Sequence, residues 1–284
     1  MTKAQKTAWF QRTGLVACVL ASFAAAGCAR SEIHRCDVGP GWAAARNAAS
    51  LTSLAWSPFG RAERGWAIYE ALIAREIGAD CPAATPAFAG ALARWQNANR
   101  IGGGGGVMDG PTFARLKAIW QARRPFVAAS RTCPAPPVGT TLARALPAES
   151  YGGKVILLRP RALAAYRAMV AAARARLPQI AADPHLLTIF SAYRSPQYDA
   201  GRCAREGNCQ GIVRATCSAH RTGLAMDFYL GSAPGHAVDS SDDVNRLAIS
   251  RGPAYRWLVA NAARFGFVNY PFEPWHWEWV GERP

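Results

Sequence analysis

The chain has 284 residues, half of them hydrophobic, which is enough for about two domains and too apolar for a disordered polyelectrolyte. Its formal charge of +15 comes mainly from arginine and suits acidic partners: nucleic acid, anionic lipid or an anionic wall polymer. The arginines are dispersed, with no run longer than Arg123-Arg124, so a generic arginine-rich composition accounts for the charge at least as well as a polyanion site.

Lys3, Lys6 and Arg12 precede an apolar run from Leu15 to Ala26 that ends in Ala25-Ala26-Gly27-Cys28. A basic start, a short apolar stretch and small residues read as an export signal over residues 1–27, and the run is short of the roughly 20 apolar residues that span a bilayer. Gly27-Cys28 resembles a lipobox, in which the cysteine is acylated and becomes the mature N-terminus. Ala25 stands where that pattern prefers leucine, so plain secretion remains the alternative. The expected location is the periplasm, or the outer membrane as a lipoprotein. Export argues against nucleic acid and limits membrane contact to a lipid anchor on Cys28. Six cysteines follow: Cys36, Cys81, Cys133, Cys203, Cys209 and Cys217. In an exported chain an even set predicts three disulfides, with Cys203–Cys209 the favoured local pair. The rival reading, a cysteine metal site, lacks the tight pairs of structural zinc centres.

Residues 29–60 read as irregular, with Gly39-Pro40 and Pro58 as punctuation. Helical spacing follows over 62–78 through Trp66, Tyr69, Leu72, Ile73 and Ile77, with Gly78 as the stop. A second helix is expected from Pro86 to Asn99, capped by Thr85, and a third carries Phe113, Leu116, Ile119 and Trp120. Between them lies the run Gly102 to Gly106, then Asp109-Gly110-x-Thr112. With Phe88-x6-Trp95-Gln96, this segment (62–123) resembles the peptidoglycan-binding module of wall hydrolases, although the glycine run is longer than that module's loop. A generic three-helix bundle is the alternative. Residues 124–150 are rich in proline and alanine and read as a linker, or a strap over the next domain.

From Lys154 the pattern becomes α+β, so 151–284 reads as a second domain. Strands are expected at 155–158, 185–190, 225–230, 267–269 and 275–280, with helices at 160–177 and 253–265. Two strings carry chemistry: Ser218-Ala-His220-Arg-Thr-Gly223-Leu-Ala-Met-Asp227 and Glu273-Pro274-Trp275-His276-Trp277. A catalytic zinc takes three nitrogen or oxygen ligands and keeps one position open, a set that His220, Asp227 and His276 can supply. Glu273 is then the general acid/base beside the metal rather than a ligand. Residues three apart on a regular strand face opposite sides, so convergence of Glu273 and His276 requires Pro274 to hold Glu273 in a loop before the strand.

These strings resemble the zinc D-alanyl-D-alanine carboxypeptidases (VanY-type DD-peptidases), which share an α+β fold with the hedgehog signalling domain. Ser191-Ala-Tyr-Arg194-Ser-Pro-Gln-Tyr198 is similar to that family's arginine motif. The resemblance covers about residues 150–282. It implies one Zn2+ per chain on His220, Asp227 and His276, with Glu273 as acid/base. It further implies that Arg194 binds substrate and the developing oxyanion, and that Ser218 touches the substrate backbone. The implied substrates are peptidoglycan stem peptides ending in D-Ala–D-Ala. An endopeptidase of the same fold and a non-catalytic, metal-stabilised wall-binding protein are the alternatives; retention of Glu273 and Arg194 argues against the latter. Glu278-Trp279 departs from the Arg-Tyr of typical members, putting a carboxylate beside the site and substrate detail in doubt. Trp275, Trp277 and Trp279 read as packing rather than a sugar platform. His34, His185 and His236 lie in no motif.

Overall fold

A computed structural model describes residues 35–103, 105–130, 133–206 and 217–284, the side chain of Glu206 excepted. The expected signal, Cys28, His34 and Cys209, the last with its expected bridge to Cys203, lie outside these residues.

The N-terminal unit opens with α1 (Gly41–Ser50) and a two-residue hairpin, β1 (Ala55–Trp56) with β2 (Glu63–Arg64). A 3-10 turn (Ala67–Tyr69) leads into α2 (Glu70–Ile77), which ends at left-handed Gly78, followed by α3 (Pro86–Ala98) and α4 (Gly110–Ala122). Thr85 and Asp109 cap α3 and α4 by accepting from Phe88 N and Thr112 N, and each helix has proline in its first turn. Trp66, Tyr69, Ile73, Phe88, Leu92, Phe113, Leu116 and Trp120 form one core. Helix α1 stands at Gly41–Ser50, inside the segment 29–60 expected to be irregular. It escaped periodicity because its buried stripe is Ala43, Ala44 and Asn47, with no large apolar residue. Asn47 completes the unit, since its Nδ2 donates to Gly106 O and its Oδ1 accepts from Met108 N, each at 2.8 Å. Gly106 has φ 91°, and a Cβ there would come within 2.3 Å of Ala89 O, which accounts for the last glycine of the run. Cys36–Cys81 ties the start of the unit to the loop before α3.

Residues 124–130 and 133–150 lie along the second unit. They contain α5 (Pro125–Ala129) and β3 (Ala143–Arg144), which pairs antiparallel with β4 (Leu157–Leu158). Cys133–Cys217 fastens this segment to the residue before Ser218.

The second unit continues with α6 (Pro160–Arg176), α7 (Pro178–Ala182), β5 (Ile189–Ser191), α8 (Pro196–Glu206) and β6 (Ala225–Phe228). Helices α9 (Asp243–Arg251) and α10 (Pro253–Asn261) precede β7 (Phe267–Asn269) and β8 (His276–Trp279). The sheet order is β5-β6-β8-β7, all antiparallel, so with its helices the unit is α+β. Alternation divides the central strands. Met226, Phe228, Trp277 and Trp279 join the core with Leu163, Tyr166 and Leu258, while Asp227, His276 and Glu278 occupy the opposite face. The tryptophans are thus packing residues, with Trp277 Nε1 donating to Pro274 O and Trp279 Nε1 to Phe265 O. Among the described residues no helix is long and apolar enough to cross a membrane.

The two units meet at Arg246 on α9, which is fully buried. Its guanidinium is 3.1 Å from Glu63 Oε2, donates to Tyr69 Oη at 2.6 Å and donates through Nε to Phe272 O at 2.8 Å. Helix α9 was not expected, because its buried face is Asn245, Arg246, Ile249 and Ser250 and carries little apolar signal.

Candidate metal centre

His220 sits on a 3-10 turn (Ala219–Thr222) closed by Gly223 at φ 69°. A Cβ at Gly223 would lie 3.0 Å from the Leu142 side chain and 3.3 Å from that of Arg159, so sterics and backbone both call for glycine there. Past this turn the chain enters β6 and reaches Asp227, whose register partner on β8 is His276. Directly opposed residues of an antiparallel pair project from the same face at about 4.5–5.5 Å between Cβ atoms, so the register sets these two ligand candidates side by side. Glu273 lies in the turn before β8, with Glu273 N donating to Tyr270 O and His276 N to Glu273 O. That is the loop position its convergence with His276 requires.

The three candidate ligands are buried, and their donor atoms all lie within 4.8 Å of one another. His220 Nε2 is 3.2 Å from Asp227 Oδ2, and His276 Nδ1 is 2.9 Å from Asp227 Oδ1. The other nitrogen of His220, Nδ1, is 2.7 Å from Ala192 O. A carbonyl only accepts, so Nδ1 carries the proton and Nε2 keeps its lone pair toward the centre. Burial and the Arg194 charge lower the His220 pKa, against the pull of Asp227. Burial alone would raise the Asp227 carboxyl, but the two imidazoles hold it well below the usual range. His276 goes the other way: its hydrogen bonds to Asp227 and Glu278 outweigh burial and raise it to about 9. Glu273 Oε2 stands 3.9 Å from His276 Nδ1. Its burial, with Asp227 adding in the same direction, pushes the carboxyl up to about 7 against the pull of His276, Arg194 and Arg124.

Arg194 follows β5 and reaches the same centre, with Nη1 4.0 Å from Asp227 Oδ2. It is held by Asp199 Oδ1, which accepts from Nε at 2.9 Å, and by Ser191 Oγ, which accepts from Nη1 at 2.9 Å. Ser218 Oγ donates to Asp199 Oδ2 at 2.5 Å, so both predicted substrate contacts hang on one buried carboxylate. Asp199 was missed in the sequence; its position five residues after Arg194, at the start of α8, was the available signal. Glu278 is no open carboxylate at the cleft. Burial alone would raise it, but Arg124, then His276 and the Phe126 N–H, hold it down to about 2.

All six predicted site residues converge on one cleft of about 700 Å³, walled also by Phe126, Val127 and Tyr198. Residues 155–282 match the family described as VanY, D-alanyl-D-alanine carboxypeptidase. This segment belongs to the VanY peptidase family. No curated protein matches the chain. The VanY segment contains the whole cluster of His220, Asp227 and His276 together with Glu273 and Arg194. Two imidazole nitrogens and one carboxylate at this spacing fit a divalent ion of the zinc type, with a second carboxylate beside it and a guanidinium across from it.

Proposed function

We propose that the protein is a zinc-dependent D-alanyl-D-alanine carboxypeptidase that hydrolyses the terminal D-Ala–D-Ala bond of peptidoglycan stem peptides. The observation that carries this is the buried His220–Asp227–His276 cluster, donor atoms within 4.8 Å, lying beside Glu273 in a VanY-family segment. His220 would bind through Nε2, Asp227 through its carboxylate and His276 through Nδ1. When bound, the ion supplies Lewis acidity, which polarises the scissile carbonyl and acidifies water. Glu273 takes a proton from the attacking water and returns it to the leaving amine; a buried carboxyl raised toward neutrality suits both halves of that task. Arg194, pre-aligned by Asp199, pairs with the carboxylate or polarised carbonyl of the substrate, and Ser218 contacts its backbone.

The rest of the reading follows the same chemistry. In this proposal the second unit has the hedgehog/DD-peptidase fold, and the N-terminal unit is a wall-binding helical module that raises the local substrate concentration. Two disulfides agree with export to the periplasm, with Cys28 as lipid anchor at the outer membrane.

Mass analysis of wall fragments bearing pentapeptide stems tests the activity. Release of a single alanine is expected, abolished by chelation and restored by zinc. Amidating the terminal carboxylate leaves a buried donor unpaired, at a cost of about 1–3 kcal/mol, or roughly 5- to 150-fold in rate. Two multi-residue fragments without free alanine would assign the site to an endopeptidase.

A further inference from the structure

Glu278 is the residue by which this chain departs from its family's usual pattern, and its surroundings give it a definite place. On β8, residues 276 and 278 share one face, which sets the Glu278 carboxylate beside the imidazole of His276. Glu278 Oε1 is 3.4 Å from His276 Nε2, the ring nitrogen turned away from Asp227. The carboxylate is only 1 % exposed and is gripped by residues from outside the sheet. Arg124 donates to Oε1 from Nε at 2.7 Å, its Nη2 lies 2.6 Å from the same oxygen, and Phe126 N donates to Oε2 at 3.1 Å. Arg124 is itself braced, since Nη1 donates to Gln121 Oε1 at 2.6 Å and the guanidinium lies 4.1 Å over the Tyr270 ring. Tyr270 in turn accepts the backbone N–H of Glu273.

We infer that Glu278 is a positioning residue that fixes the ring orientation and tautomer of His276, and that Arg124, supplied by the segment joining the two units, holds Glu278 in place. With Nε2–H directed at Glu278, Nδ1 is the nitrogen that faces Asp227 and the shared centre, and it gives its lone pair to an ion once its own proton is displaced. Carboxylates that accept from the remote nitrogen of a ligating histidine orient the ring and increase its basicity, and their loss costs about 10- to 100-fold in metal affinity. Arg124 gives the carboxylate a second, opposite charge, so that two carboxylates can flank one imidazole without leaving either unpaired. The inference rests on the reading of His220, Asp227 and His276 as metal ligands.

Zinc affinity by chelator competition and the visible spectrum of the cobalt-loaded full chain test it, on wild type, Glu278→Gln and the double variant Arg124→Gln/Glu278→Gln. The double variant removes both charges of the pair and covers the case in which the single one fails to fold. Thermal unfolding of the metal-free chains establishes that each is folded. The expected result is wild-type binding with zinc affinity reduced about 10- to 100-fold in the folded variants, accompanied by an altered cobalt spectrum. Wild-type affinity and spectrum in a folded variant, with only the melting temperature lowered, would make the pair a structural brace and overturn the inference. A wild-type chain that binds neither metal would overturn the metal-centre reading itself, and the inference with it.

Discussion

His220, Asp227 and His276 lie with donor atoms within 4.8 Å of one another, and Glu273 Oε2 stands beside them on the turn before β8, 3.9 Å from His276 Nδ1. The proposed function takes the first three as ligands and Glu273 as the acid/base. Glu273→Ala should keep zinc and fold but lose most turnover, because general acid/base catalysis contributes about 10²–10⁴-fold. His276→Ala should empty the site. Metal content and turnover on both variants check this; an empty site in Glu273→Ala with a full one in His276→Ala would reverse the roles. At this scale the sequence was highly legible, since the two histidine-containing strings hold the geometry in their own spacing. Gly223 turns the chain between His220 and Asp227, and Pro274 keeps Glu273 off the strand. What could not be read were the charged partners that hold these residues in place. Asp199 orients both Arg194 and Ser218 from the start of a helix with little apolar signal, and Arg124 neutralises Glu278 from 154 residues away. Glu278 therefore read as a free carboxylate beside the site, when it is in fact buried and paired.

Elements whose cores are large and apolar were likewise visible in advance, and those whose buried faces are small or polar were not. Strand β6 was visible by alternation, α3 by its Thr85 cap and apolar face, and α4 by Phe113, Leu116 and Trp120. Helix α1 buries alanines and Asn47, while α9 buries Asn245 and Arg246, so neither shows a hydrophobic period. Yet α9 carries the charge on which two other elements depend. Arg246 meets Glu63 of β2 and Tyr69, and its donation to Phe272 O steadies the turn from which Glu273 projects. Glu63 is itself buried, so Arg246→Ala strands a carboxylate in the interior. Breaking a buried pair from one side costs about 3–5 kcal/mol. Urea unfolding should show that loss. A change below about 1 kcal/mol would mean that water or local relaxation already solvates Glu63.

At the scale of the whole molecule, the helical unit and the VanY domain are joined by more than a tether. Arg124 and Phe126 N–H satisfy Glu278, Ala143–Arg144 pairs with β4, Cys133 is bonded to Cys217 beside Ser218, and Glu63 and Tyr69 satisfy Arg246. Composition alone could not distinguish a slack linker from this arrangement over residues 124–150, because the contacts are made by single charges and backbone groups. Removing residues before 150 would take away the partners of two buried charged residues, Glu278 and Arg246, and bare the β4 edge. Each stranded charge costs several kcal/mol, while a domain is typically stable by only about 5–15 kcal/mol in total. A chain of residues 150–284 should therefore show no cooperative thermal transition by near-ultraviolet circular dichroism, whereas residues 35–284 should melt cooperatively. A cooperative melt of the short chain within about 5 °C of the long one, a shift worth only about 1 kcal/mol at this size, would mean that the VanY domain folds alone. The helical unit would then be separable from the chemistry, and the contacts of Arg124 and Glu63 would matter only where the two units touch.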